Sequence, residues 1–356
     1  MTIETLARPE IRGLQSYFTA LQQTGTVRLN ANEAPWERRV NGRASSLNRY
    51  PEVRPRLLQE RLAERYGVTP DRVLVTRGSS EAIDLLLRAF CRSGIDNVVV
   101  TPPTFSMYQV YADIQGAGVK SVPLTVENDF QLDVDEVLAA CDANTKLIFV
   151  CSPNNPTGNL VPIADMVGLA KAREGQSLIV VDEAYIEFSG SESVAALTGI
   201  HDNLVVLRTL SKALALAGAR CGAVVGSRCL TGLLNGILAP YALATPVIDC
   251  VLDALGAESE HEARQACAHI VRERERLSQA LAQNHQIVKV WPSRANFLLV
   301  KFHSLTAVQE KLRANGVLIR DFGAEARLDN CARITVGSRD ENDRLLELLF
   351  DSKRLA

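Results

Sequence analysis

The sequence has no excess of charge of one sign: Lys plus Arg number 39 and Asp plus Glu 41, a formal net charge of −2. A chain so near neutrality has no global electrostatic pull toward nucleic acid, so any anion it binds is held by local groups. It has no apolar run of the roughly 18 residues that suggest a membrane span. The longest weakly polar stretch, 213–225, is interrupted by Gly218, Arg220 and Gly222. The opening MTIETLARPEIRG carries early Glu and Arg and no apolar segment, so no signal peptide is expected. None of the 8 cysteines forms a C-x-x-C pair or a zinc-like Cys–His spacing, so no metal is expected. Free buried thiols in a reducing cytoplasm are the expectation instead. No G-x-G-x-x-G or P-loop follows the first strands, which weighs against a nucleotide-binding protein. Internal repeats and low-complexity segments are also missing.

The 356 residues suffice for two domains with large cores, and 47% hydrophobic with 22% charged residues is ordinary globular composition. Short β-branched runs alternate with helix-period segments. Strands are expected at Arg72–Thr76, Asn97–Thr101, Val119–Leu124, Lys146–Cys151, Ser177–Val181, Leu204–Leu207 and Cys221–Gly226, with a helix at Glu81–Arg92. The runs are nearly all apolar rather than alternating, as in strands covered on both faces of a mostly parallel α/β sheet. Beyond Pro246 the texture changes. One long helix is expected over Ile248–Ala282, with Arg272–Arg276 as a solvated charged face. Strands follow at Ile287–Val290, Phe297–Phe302, Val317–Arg320 and Cys331–Val336, then a last helix from near Asp340. The expected fold class is therefore α/β. A large domain with a mostly parallel mixed sheet covered by helices spans 30–245. Residues 1–29 with 246–356 form an arm and a smaller α+β domain.

Polar clusters stand at the C-terminal ends of these strands, where open parallel sheets bind ligands. Gly78-Ser79-Ser80 opens a helix and resembles a phosphate cradle, although serines also serve as plain caps. Asn154-Asn155-Pro156-Thr157-Gly158 is a rigid turn after a buried strand. Asp182 ends the apolar run SLIVV; a carboxylate there needs a cationic partner or a function, and Tyr185 can share its site. Lys212 precedes a run of small residues that could desolvate it and make it a nucleophilic amine. Arg220, eight residues on, could meet the same anion as the serines. Each cluster alone also has a plain structural reading.

Jointly and in this order they resemble the fold-type-I pyridoxal-phosphate aminotransferases, class II. The motifs are SPNNPTG (Ser152–Gly158), VDEAY (Val181–Tyr185) and TLSKALALAGARCG (Thr209–Gly222). LNANE (Leu29–Glu33), NRYPE (Asn48–Glu52), RGSSEAIDLLLRAFC (Arg77–Cys91), PPTFSMY (Pro102–Tyr108), DEAYIEF (Asp182–Phe188) and RITVG (Arg333–Gly337) are similar to the histidinol-phosphate subfamily. The resemblance implies pyridoxal 5'-phosphate as cofactor, with Lys212 as Schiff-base and proton-shuttle residue. It implies that Asp182 pairs with the ring nitrogen, that Asn155 and Tyr185 bond the ring's 3-oxygen, and that Phe105 stacks on the ring. Gly78, Ser79, Ser80, Thr209, Ser211 and Arg220 would hold the phosphate, with Tyr50 reaching it from the second subunit of a homodimer. Arg333, Arg320, Tyr17 and Asn32 would contact substrate. The implied reaction is a ping-pong exchange of L-histidinol phosphate and 2-oxoglutarate with imidazole-acetol phosphate and L-glutamate in histidine biosynthesis, in the cytoplasm, with neither nucleic acid nor membrane as partner. A threonine-phosphate decarboxylase-like or aromatic amino-acid aminotransferase is the alternative on the same scaffold. Phe105 replaces a customary Tyr, and Ser80 a customary acid or amide.

Overall fold

In a computed structural model the chain is described over residues 2–14, 20–22, 26–40 and 43–350. A hairpin pairs β1 (Arg38–Val40) with β2 (Arg43–Ser45). Then come β3 (Val73–Thr76), β4 (Asn97–Val100), β5 (Gly118–Ser121), β6 (Thr145–Cys151), β7 (Leu178–Asp182), β8 (Leu204–Thr209) and β9 (Gly222–Val225). They form one sheet in the order β3-β9-β8-β7-β6-β4-β5, parallel except for β9, which runs against both its neighbours. Side-chain alternation divides each central strand between two cores. Ile148, Val150, Ile179, Val181 and Val206 enter one, while Leu147, Phe149, Leu178, Val180, Val205 and Leu207 enter the other. Burial on both faces is the physical reason for the unbroken apolar runs.

Register fixes which residues share the sheet's working edge. Asp182 lies beside Cys151 and Leu207, and Gly222 beside both Thr76 and Thr209. The strand ends that precede Gly78, Ser152, Glu183 and Leu210 thus come to one rim.

The second sheet is antiparallel, in the order β10-β11-β13-β12, from β10 (Ile287–Val290), β11 (Phe297–Phe302), β12 (Arg320–Asp321) and β13 (Cys331–Thr335). Its own core packs under the helices Ala257–Leu281, Leu305–Ala314 and Arg339–Phe350. Phe297 and Ala295 join Ala184, Tyr185, Phe188 and Ala213 in a small cluster that seats this sheet against the rim of the large one.

Three sequence expectations are corrected. The helix expected over Ile248–Ala282 is two helices, Thr245–Ala254 and Ala257–Leu281. Gly256 breaks it by taking an extended backbone (ψ 152°) at the second helix's N-cap, a place where glycine is well tolerated. Of the strand expected at Val317–Arg320, only Arg320–Asp321 pairs. Val317 is still tied by its N–H to Leu312 O, beyond the left-handed Gly316 that ends the preceding helix. The Arg272–Arg276 run is not wholly solvated. Glu273 and Arg274 are buried, Arg274 donating to Phe188 O and Ala295 O, and Glu273 accepting from Arg276 and Asn342.

Candidate functional site

Asp182 ends β7 with 3% of its surface exposed. Strand alternation turns its neighbour Glu183 to the other side, where Ser193, the Val194 N–H and Arg208 bind it. Burial pushes the Asp182 carboxyl pKa up. The Tyr108 hydroxyl, 2.8 Å from Oδ2, the Ala184 N–H, 3.1 Å from Oδ1, and the charge of Lys212 act against that push. Lys212 stands at the solvent-open mouth of the same cavity, its ammonium 5.7 Å from the Tyr185 ring centroid. Surrounding protein atoms lower its pKa, Arg333 and Arg220 lower it further, and Asp182 opposes them. That shift favours a neutral, nucleophilic amine. Burial drives the Tyr185 phenol upward, so it remains a proton donor.

The anion cradle is built by backbone as much as by side chains. Ser79 and Ser80 open the helix Gly78–Phe90, whose N-terminus points free N–H groups toward the rim. Arg220, in a left-handed conformation (φ 53°), donates to Ser211 Oγ at 3.3 Å, and Ser211 and Thr209 share a 3.0 Å hydroxyl bond. Gly78 has φ 78°, and a Cβ there would meet the Arg220 guanidinium at 3.0 Å. A Cβ on Gly222 would meet Arg208 O at 2.5 Å and Gly78 Cα at 3.0 Å. Glycine at both positions therefore permits a close approach of backbone and guanidinium that a side chain would obstruct.

The two asparagines of SPNNPTG part company. The Asn154 amide is used up within the turn region by Thr104, Pro103 and Thr157. Asn155 faces the cavity, and its Oδ1 accepts from Arg333 Nη1 at 2.5 Å. Arg333 rises from β13 opposite Arg320 and lies over the rings of Phe297 and Phe322, at 5.2 and 5.6 Å.

One cavity of about 160 Å³ is thus lined by Ser79, Ser80, Phe105, Asn155, Asp182, Tyr185, Thr209, Ser211, Lys212 and Arg220, with Gly78 behind Arg220 and Arg333 joined through Asn155. Arg320 stands next to Arg333 and depresses its pKa, as burial does more strongly. Tyr50 and Asn32 are not brought to this cavity within one chain. They line a separate hollow, where Tyr50 stacks on Tyr241 at 4.7 Å. Tyr17 lies outside the described residues. The sequence reading assigned no role to Tyr108, or to Cys151, Ala184 and Ala217, which also line the cavity.

An amine, a buried carboxylate and an anion cradle around one cavity define an enzyme built to carry a phosphorylated carbonyl cofactor. The model of the family "Aminotransferase class I and II" matches residues 17–349, and the chain belongs to that family. It is 43% identical over 351 residues to the histidinol-phosphate aminotransferase of Serratia proteamaculans, covering 98% of this chain and 96% of the relative. It is 41% identical to that of Cronobacter sakazakii, covering 100% and 99%. Among solved structures it matches the histidinol-phosphate aminotransferase of Sinorhizobium meliloti in complex with pyridoxal-5'-phosphate, with TM-score 0.76 and 23% identity over 85% of this chain and 82% of that one, a likeness of fold. Pyridoxal phosphate is the cofactor of the family. The donor set fits it: an amine for its aldehyde, a buried carboxylate for its ring nitrogen, and serines, arginine and helix N–H groups for its phosphate.

Proposed function

We propose that the chain exchanges the amino group between L-histidinol phosphate and 2-oxoglutarate, giving imidazole-acetol phosphate and L-glutamate, a step of L-histidine biosynthesis. The observation that carries this reading is the meeting of Lys212, Asp182 and Arg333 on one rim, in a chain whose full-length relatives are histidinol-phosphate aminotransferases. When bound, pyridoxal phosphate supplies an aldehyde that joins the substrate amine and a ring that accepts the electrons left by the broken Cα–H bond. Lys212 would hold the cofactor at rest, and its Nζ would take the proton from the substrate Cα and deliver it to the carbon that had been the cofactor's aldehyde, the 1,3-shift that moves the amine. Asp182 would keep the ring nitrogen protonated. Tyr185 and Asn155 would donate to the 3-oxygen, and Phe105 would stack on the ring. Gly78, Ser79, Ser80, Thr209, Ser211 and Arg220 would bind the phosphate.

Arg333, with Arg320, would bind the phosphate of one substrate and a carboxylate of the other. Both anions suit a planar guanidinium. Asn32 and Tyr17 would complete the substrate pocket. Residues 30–245 would form the cofactor-holding unit, and 1–29 with 246–356 the arm and smaller unit. A homodimer is part of the proposal, Tyr50 reaching the second subunit's phosphate site. Val27, Leu29 and Trp36 leave 87%, 90% and 65% of their surfaces bare, an apolar stretch that such a partner would cover. Eight unpaired cysteines suit a cytoplasmic location, and no helix among the described residues is long and apolar enough to cross a membrane.

Borohydride treatment of the cofactor-loaded protein should fix the cofactor on Lys212, and Lys212→Ala should abolish both the fixed adduct and glutamate formation from histidinol phosphate and 2-oxoglutarate. An adduct that survives in Lys212→Ala would refute the lysine assignment. Release of CO2 from O-phosphothreonine without glutamate formation would transfer the chain to the decarboxylases.

A further inference from the structure

Tyr108 sits in the first turn of the helix Met107–Gln115 and is fully buried. Its ring is sandwiched by aromatic neighbours, parallel to Phe149 at 4.7 Å and edge-on to Phe105 at 5.6 Å. Packing alone would be served by phenylalanine. The hydroxyl is what distinguishes the residue, and it donates to Asp182 Oδ2 at 2.8 Å. The other oxygen, Oδ1, already accepts the Ala184 N–H. Tyr108 is therefore the side-chain donor to a buried carboxylate that also lines the cavity.

We propose that Tyr108 is a positioning residue for the transamination: its hydrogen bond holds Asp182 as an anion, so that the proton shared between Asp182 and the bound cofactor rests on the ring nitrogen. This rests on the reading of the cavity as a pyridoxal-phosphate site. A proton placed between a carboxylate oxygen and a pyridine nitrogen goes to whichever is the stronger base. Every donor to the carboxylate weakens it as a base and tips the proton toward nitrogen. A phenol suits the task because it does not titrate in the working range. Burial, and then the negative charge of Asp182, raise its pKa well above the ordinary value, so the donor stays a donor. An imidazole in its place would lose or reverse its role near neutrality.

Tyr108→Phe keeps the stacking and removes the bond. With ring-¹⁵N-labelled pyridoxal phosphate, the wild-type nitrogen should resonate as protonated, and in Tyr108→Phe it should move toward the unprotonated position. Cofactor affinity and kcat should each fall roughly ten- to a hundredfold, with KM for histidinol phosphate nearly unchanged. Phe149→Leu, which disturbs the same packing but not the donor, should leave the nitrogen resonance in place. An unmoved resonance in Tyr108→Phe overturns the proposal. Failure of the wild-type protein to bind the cofactor at Lys212 would instead overturn the reading beneath it. Should Tyr108→Phe not fold, 3-fluorotyrosine at 108 decides: its ¹⁹F signal should report a protonated phenol between about pH 6 and 9 and shift when cofactor is added. A signal that titrates there, or ignores the cofactor, overturns the proposal.

Discussion

Arg333 is the residue whose surroundings say most about substrate. It is tied to Asn155 at 2.5 Å, lies over two aromatic rings, and has a second guanidinium, Arg320, as its strand neighbour. Two like charges placed side by side cost energy unless an anion joins them, a cost that the phosphate or carboxylate of the proposed substrates would offset. Arg333→Ala should lower kcat/KM at least about thirtyfold for each half-reaction, since each substrate presents an anion to the same group. Single-turnover rates with histidinol phosphate and with glutamate, measured separately, check this. Loss confined to one of them would show that the two anions use different partners. The sequence named Arg333, Asp182, Lys212 and Asn155 because each sits inside a motif with fixed spacing. It gave Tyr108 no role because the bond to Asp182 joins residues 74 positions apart, and nothing local in PPTFSMY marks a buried hydroxyl.

At the scale of elements, the rim is made by close approach. Gly222 in β9 allows the Gly78 turn to sit on the strand, and Gly78 in turn admits Arg220. Gly222→Ala should force these backbones apart, at a cost of about 1–3 kcal/mol. Because the displaced turn carries the serines, cofactor affinity should fall in step. Urea unfolding and a cofactor titration of the same variant test the link, which fails if affinity holds while stability drops. Strand positions were readable in the sequence because burial on both faces writes itself as apolar runs. The break at Leu255–Gly256 was not, because helical periodicity continues across it and one extended glycine decides. Nor was the burial of Glu273, since a charged run carries no sign of the partners that Asn342 and Arg276 provide. The Arg276 bonds lead in lowering the Glu273 carboxyl from 4.5 to about 2. A folded-state pKa below the unfolded one stabilises the fold above the unfolded value, and that stability is lost as pH falls from about 4.5 toward 2. Glu273→Gln should therefore lower Tm at neutral pH, and the gap to wild type should narrow as the solution is acidified; a gap independent of pH would show that the carboxylate contributes only its shape.

For the whole molecule, the question is whether one chain suffices for one site. The cavity around Lys212 has its carboxylate, amine and arginines, yet Tyr50 stands in a different hollow, fixed there from behind. The Glu33 side chain, almost fully buried, accepts from Arg28, Arg49 and the Tyr50 N–H, which ties the loop that presents Tyr50 to this hollow rather than to its own Lys212. Tyr50 is 52% exposed and Val27, Leu29 and Trp36 on the preceding segment are bare, so this is the face that the proposed homodimer would cover. Tyr50→Ala and Lys212→Ala should each be poorly active alone. Unfolded together and refolded at equal concentration, half of the dimers are hybrids, and each hybrid rebuilds one native site from the Lys212 of one chain and the Tyr50 of the other. The mixture should regain about a quarter of wild-type activity, the arithmetic of one intact site in four under twofold symmetry. A mixture no more active than the mean of its parents would mean that Tyr50 serves its own chain or none, and each subunit would then have to hold the cofactor phosphate with Ser79, Ser80, Thr209, Ser211 and Arg220 alone.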